Sequence, residues 1–72
     1  MFGKWIRVSS SMIDMVRYDD EEEILELAFR DGSVYRYYNV PYDIYQGLIR
    51  APSKGRYFWR YIRDVYDYEK TY

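Results

Sequence analysis

The order of the elements predicts an α+β domain: a small antiparallel β-meander of three or four strands followed by two short helices packed on one face. Three observations carry this reading. Apolar and polar residues alternate on both sides of Asp31-Gly32. From Val40-Pro41 onward the spacing of apolar residues changes from two to three and four. The chain has 72 residues and no Cys, yet 22% of it is aromatic, with 11 Tyr, 3 Phe and 2 Trp. A chain this short buries only about 60% of its unfolded surface, so large rings must supply what disulfides or metals supply in other small domains. One domain is expected over residues 1–72, with its core between about 5 and 66 and a frayed tail at 67–72.

Taken in order, Trp5 to Val8 alternates and reads as a short strand, which Ser9-Ser10-Ser11 interrupts. In the run from Met12 to Tyr18, Ile13 and Met15 share one parity, and Val16 and Tyr18 the other. That slip of phase predicts a bulge or a segment covered on both faces. Asp19-Asp20-Glu21-Glu22-Glu23 is the one charge block and reads as a solvated hairpin loop. A Ca²⁺ loop needs spaced ligands and a turning Gly, which five consecutive acids do not provide.

Ile24 to Arg30 is the clearest strand, with Leu25, Leu27 and Phe29 on one side. Asp31-Gly32 is the two-residue signal of a type I′ hairpin turn, and Ser33 to Tyr38 returns as the partner strand. Pro41 and Asp43 suit the first turn of a helix, after which Ile44, Tyr45, Leu48 and Ile49 follow helical spacing. Ala51-Pro52-Ser53 ends that helix, and Ser53 caps the next. Phe58, Ile62 and Val65 form the apolar stripe of the second helix, with Tyr57 and Tyr61 beside it.

Composition removes several classes of function. Without Cys there is no disulfide framework, iron–sulfur cluster or thiolate zinc site. Without His, the commonest metal ligand and the commonest general base are missing. No cofactor is therefore expected. The serines at 9–11 have neither a His nor a Gly-x-Ser-x-Gly elbow to activate them; hydrogen bonds to the backbone at a strand bend account for them. No apolar run is long enough for a signal peptide or a membrane span, so a cytoplasmic protein without membrane contact is expected.

The formal net charge is -1, but it is unevenly spread. Residues 14–26 carry seven acids against Arg17, whereas residues 30–63 carry seven bases against Asp31 and Asp43. Arg50, Lys54, Arg56, Arg60 and Arg63 lie at the junction of the two helices and along the second. Arg56, Arg60 and Arg63 follow i, i+4, i+7, with Trp59 beside them. A basic face carrying an aromatic has the composition of a nucleic-acid surface; an ordinary solvated helix face has the same pattern. Trp59 lies about 100° round the helix from Phe58 and is expected at the rim of the core, partly exposed. Tyr35 and Tyr37 point to one side of their strand. There they either stack nucleobases or fill the core under the helices, and the need of a small sheet for large inward residues favours the core.

The strings SSMIDMVRYD (10–19), GSVYRYYNVP (32–41) and APSKGRYF (51–58) together resemble the KTSC domain, a family named for its occurrence at the C-terminus of some lysyl-tRNA synthetases and found also as small bacterial and phage proteins. The resemblance covers about residues 8–66 and includes the central Tyr35-x-Tyr37, the Val40-Pro41 helix start and the Ser53 to Phe58 segment. It implies no established enzymatic activity, and the synthetase context suggests RNA binding. The family's usual Asn after Tyr-Phe, and the polar residue two positions on, are here Trp59 and Tyr61.

Two readings of function follow. In the first, the chain is a non-enzymatic module that binds RNA or tRNA through Arg50, Lys54, Arg56, Trp59, Arg60 and Arg63. In the second it is a protein-interaction module, such as a small phage-type regulator, or forms a weak homodimer. Near-zero net charge, an acidic block and exposed aromatics point that way.

Overall fold

The computed structural model describes residues 1–72. Four strands come first: β1 (Ile6–Arg7), β2 (Ile13–Asp19), β3 (Ile24–Phe29) and β4 (Val34–Tyr37). Two helices follow, α1 (Tyr42–Arg50) and α2 (Lys54–Tyr61), and a last strand, β5 (Tyr68–Lys70), closes the chain. The sheet has the order β1-β2-β3-β4-β5, with every neighbouring pair antiparallel. This is the α+β meander with helices on one face that the sequence predicts, extended by a fifth strand.

That fifth strand corrects the expectation of a frayed tail. Tyr68 pairs with Tyr37, Glu69 with Arg36 and Lys70 with Tyr35. The backbone N–H of Thr71 also donates to the Val34 carbonyl at 2.8 Å. The tail is ordered because it has partners on both faces. The Tyr68 ring lies 5.8 Å from Tyr35 and from Tyr37, and Glu69 accepts a hydrogen bond from the Tyr38 hydroxyl at 2.8 Å. The alternation of Tyr66, Asp67, Tyr68 and Glu69 was the available sequence signal.

The bulge in β2 is present. Ile13 pairs with Phe29 and Met15 with Ala28, so Asp14 is the extra residue. This shift lets Ile13, Val16 and Tyr18 all face the core although their parities differ. Ser10 supports the bend: its hydroxyl accepts from the backbone N–H of Met12 and of Ile13, each at 3.1 Å.

The acidic block forms the β2–β3 turn as expected, but Asp19 is buried beneath it. Its carboxylate accepts from the N–H groups of Glu21 and Glu22 and so replaces the backbone partners that the turn lacks. The β3–β4 turn differs from the two-residue type I′ form. Gly32 N–H donates to Phe29 O at 3.0 Å, Phe29 N–H donates to Ser33 O at 2.8 Å, and only Gly32 has a positive φ, +93°. The loop is therefore three residues long with a glycine at the left-handed position. Asp31 holds it by accepting from both the N–H and the hydroxyl of Ser33.

The core lies between the sheet and the two helices. Val16, Tyr18, Leu25, Leu27 and Tyr37 come from the sheet; Tyr45, Leu48, Phe58 and Ile62 come from the helices and the chain just after them. Gly47 permits the helices to approach closely. A Cβ there would collide with the Tyr57 hydroxyl, which donates to the Ile44 carbonyl at 3.0 Å. Ser53 caps α2 by accepting from Arg56 N–H.

The second helix is shorter than the stripe Phe58, Ile62, Val65 implies. It ends at Tyr61, and Asp64 takes a left-handed conformation, φ +63°. This reverses the chain and leaves Val65 59% exposed. Tyr66 packs against the core in its place.

Candidate functional site

The register sorts the strand residues onto two faces. On the helix side, Phe29, Tyr35, Tyr37 and Tyr68 lie in a contiguous patch, and α2 crosses part of it. Phe58 makes edge contacts with Phe29, ring centres 5.4 Å apart, and with Tyr37 at 5.7 Å. Tyr37 is 3% exposed, and burial pushes its phenol pKa up to about 12, with the neighbouring tyrosines adding to the shift. Tyr35 is half-buried beside it. The Tyr-x-Tyr pair therefore belongs to the core, and Tyr37 is closed to a stacking base. The rings that remain accessible are those flanking it.

The end of α2 leaves a groove of about 500 Å³ between the helix, the β3–β4 hairpin and β5. Its floor is Phe29, Tyr35, Tyr37 and Phe58, and its walls are Trp59 and Tyr68. Trp59 and Tyr68 are each 57% exposed. The Arg63 guanidinium lies 3.8 Å from the centre of the Trp59 ring, a cation–π contact. Two carboxylates, Asp31 and Asp64, and Arg30 also line the groove.

The six predicted contact residues do not share one face. Trp59 and Arg63 line this groove, whereas Arg56 and Arg60 line a shallower one of about 260 Å³ with Tyr57 and Tyr61. The i, i+4, i+7 relation fails because the helix ends before Arg63. Arg50 is exposed at the last turn of α1. Lys54 is turned inward: its ammonium donates to the Ala51 carbonyl at 3.0 Å, where it meets the negative end of α1. Sequence reasoning missed Asp31, Asp64 and Tyr68 as parts of the groove. Only the fold brings hairpin, helix end and tail together.

The arginines differ in availability. Arg17 and Arg36 are tied to Glu26 on the opposite face of the sheet, with Arg17 Nε donating to Oε1 at 2.6 Å and Arg36 Nε donating to Oε2 at 2.8 Å. Arg7 pairs with Asp14 at 2.8 Å. Arg30 Nε donates to the Ser10 carbonyl at 2.6 Å, and its Nη1 lies 3.8 Å from Asp14. Arg50, Arg56, Arg60 and Arg63 have no ion-pair partner. Among the arginines, those without an ion-pair partner therefore lie on and around α2. No helix is long and apolar enough to cross a membrane.

The model of the KTSC domain matches residues 9–66. The chain belongs to the KTSC domain family. The crystal structure of a KTSC domain protein from Yersinia pestis superposes with a TM-score of 0.92 at 34% identity, covering 97% of each chain. Among sequences, the chain is 37% identical over 65 residues to a lysine–tRNA ligase of Nostoc sp. (strain PCC 7120). That match takes in 90% of this chain but 12% of the ligase, so the KTSC domain spans about an eighth of that protein. An uncharacterized protein of Stutzerimonas stutzeri is 42% identical over 55 residues, covering 76% of this chain and 78% of its own length. The chain is thus similar both to a segment of a lysine–tRNA ligase and to most of a small protein of about its own size.

Proposed function

We propose that this KTSC domain is a non-enzymatic binding module whose ligand is RNA, tRNA foremost, held by Arg50, Arg56, Arg60, Arg63 and Trp59. The observation that carries the reading is the split among the arginines. Those of the sheet are engaged with carboxylates within the fold, Arg17 and Arg36 sharing Glu26 and Arg7 and Arg30 sharing Asp14, and those around α2 are not. Free guanidinium groups beside an exposed indole are what a flexible polyanion with stackable bases requires. The match to lysine–tRNA ligases adds a context in which RNA is present. Lys54 leaves the set, because its ammonium is committed to the end of α1.

Binding of tRNA and of mixed single strands, followed across salt, tests this. If three or four arginines neutralise phosphates, log affinity falls with log salt at a slope of about -2 to -3 on single strands. Binding that ignores salt, or no binding at low salt, overturns the proposal.

A protein partner, including a second copy of the chain, is the other reading. It is favoured by the exposed Val65, Tyr68 and Trp59 around the end of α2, residue types that can anchor an interface. Sedimentation of the purified protein, with and without nuclease treatment, separates the two. Association that survives nuclease supports this second reading.

A further inference from the structure

We propose that the groove between the end of α2 and the β3–β4 hairpin takes one unstacked guanine base, with Asp64 reading its Watson–Crick edge. This rests on the RNA reading above and adds base specificity to it. The groove's volume, about 500 Å³, is in the range of small-ligand clefts.

Its lining discriminates among ligand classes. A bare phosphate would meet the carboxylates of Asp31 and Asp64, while Arg30 is committed elsewhere by its bond to the Ser10 carbonyl. A cation would have to displace Arg63, which already lies over the Trp59 ring at 3.8 Å. A neutral planar ring carries no charge for those carboxylates to repel, and Arg63 over one face of Trp59 does not oppose it electrostatically as it opposes a cation. Trp59 and Tyr68 offer it exposed aromatic walls, and Phe29 and Tyr35 form part of the floor.

The edge chemistry selects the base. A carboxylate only accepts hydrogen bonds. Asp31 already accepts from the N–H and hydroxyl of Ser33 through one oxygen. Asp64 has no hydrogen bond or ion pair, and the left-handed turn at the end of α2 places it at the groove. Guanine presents two adjacent donors on its Watson–Crick edge, N1–H and the 2-amino group, which match the two oxygens of one carboxylate. Adenine, cytosine and uracil offer no such pair. Arg63, next in the chain, remains for the adjoining phosphate.

The test uses the full chain and fluorescence anisotropy with an unstructured oligouridylate of about eight nucleotides carrying one central guanosine, inosine or adenosine. The guanosine strand is expected to bind about tenfold more tightly than the adenosine strand. Inosine, which keeps N1–H but lacks the 2-amino group, falls between them. Asp64→Asn suits the test because Asn tolerates the left-handed backbone, and a thermal melt confirms the fold. The variant should lose the guanosine preference while still binding plain oligouridylate. Equal affinities for the three strands, or a preference that survives Asp64→Asn, overturns the guanine site while leaving salt-dependent RNA binding intact. If no strand binds at low salt, the RNA reading itself fails, and the guanine site with it.

Discussion

The two faces of the sheet are built by alternate residues of the same strands, yet they are held together by different physics. On the helix side, Val16, Leu27 and Tyr35 lie side by side across three strands, as do Tyr18, Leu25 and Tyr37. These residues pack against rings and aliphatic chains from α1 and α2. On the other side, Arg17, Glu26, Arg36 and Glu69 form a ladder of alternating charge across four strands. Glu26 is 2% exposed although no helix covers it. The two arginines enclose it, and the N-terminal segment roofs them: the Arg17 guanidinium lies 4.3 Å from the Phe2 ring centre and 4.7 Å from that of Trp5. A sheet face can thus be closed by flat guanidinium groups and two aromatic rings as well as by helices. Charge consumed in this way is lost to any polyanion, which is why the free arginines around α2 carry the functional argument.

The largest expected effect lies on the helix side. Phe58→Ala removes the ring that bridges Phe29 and Tyr37 and should cost about 3–5 kcal/mol in urea unfolding. A much smaller loss would mean that the aromatic floor does not depend on α2. The ladder is probed by Glu26→Ala, which leaves two partly buried guanidinium groups without a counter-charge and should cost about 2–4 kcal/mol. A double-mutant cycle with Arg36→Ala should return a coupling energy well above the ~0–1 kcal/mol of surface pairs. Coupling near zero would reduce the ladder to an ordinary solvated pair.

Alkaline titration probes the helix side. Burial pushes the phenols of Tyr18 and Tyr37, both on the helix side, up to about 12. In the unfolded chain they ionise near pH 10, so the unfolded state releases these protons first. The stability they contribute is complete below about pH 10 and is lost as pH rises from there to about 12. Stability measured across this window should fall, and Tyr18→Phe should make the fall shallower. An unchanged slope in that variant would mean that burial of this phenol is not the cause.

The smallest effect is expected at the groove's wall. Trp59→Ala should cost less than about 1.5 kcal/mol of folding stability, because the ring is mostly exposed, while weakening RNA binding measurably. A loss in the range of a buried Trp would place this ring in the core and deprive the groove of its anchor.

Much of the fold was legible in local pattern. The bulge near Asp14, the hairpin around Asp31-Gly32, the Pro41 helix start and the Ser53 cap follow from parity, turn chemistry and capping, all of which act within a few residues. The length of the β3–β4 loop was misread locally, and the other errors arose where the chain's path or a distant partner decides a residue's surroundings. Val65 continues a helical stripe on paper, but the reversal at Asp64 puts it in solvent. Residues 68–70 look like a loose tail, but β4 offers them an open edge and aromatic partners. Where the five basic residues and Trp59 sit was only partly legible. Charge and helical spacing identify Arg56 and Arg60, but nothing local shows that Lys54 turns inward or that Arg63 folds over Trp59.

By itself, the sequence determined the α+β order of elements, the family and the need for an aromatic core, since hydrophobic period, turn residues and composition are properties of the chain read in a line. Tertiary structure alone decided which arginines are free, that Tyr37 is closed to ligand, and that Asp64, Trp59 and Tyr68 meet at one groove. Charge pairing and burial depend on which residues come within a few ångströms of each other. In this fold those partners lie far apart in the chain, as Arg17 is held by Glu26 nine residues on and Thr71 by Val34 37 residues back, while Phe29 meets Phe58 across β4 and α1.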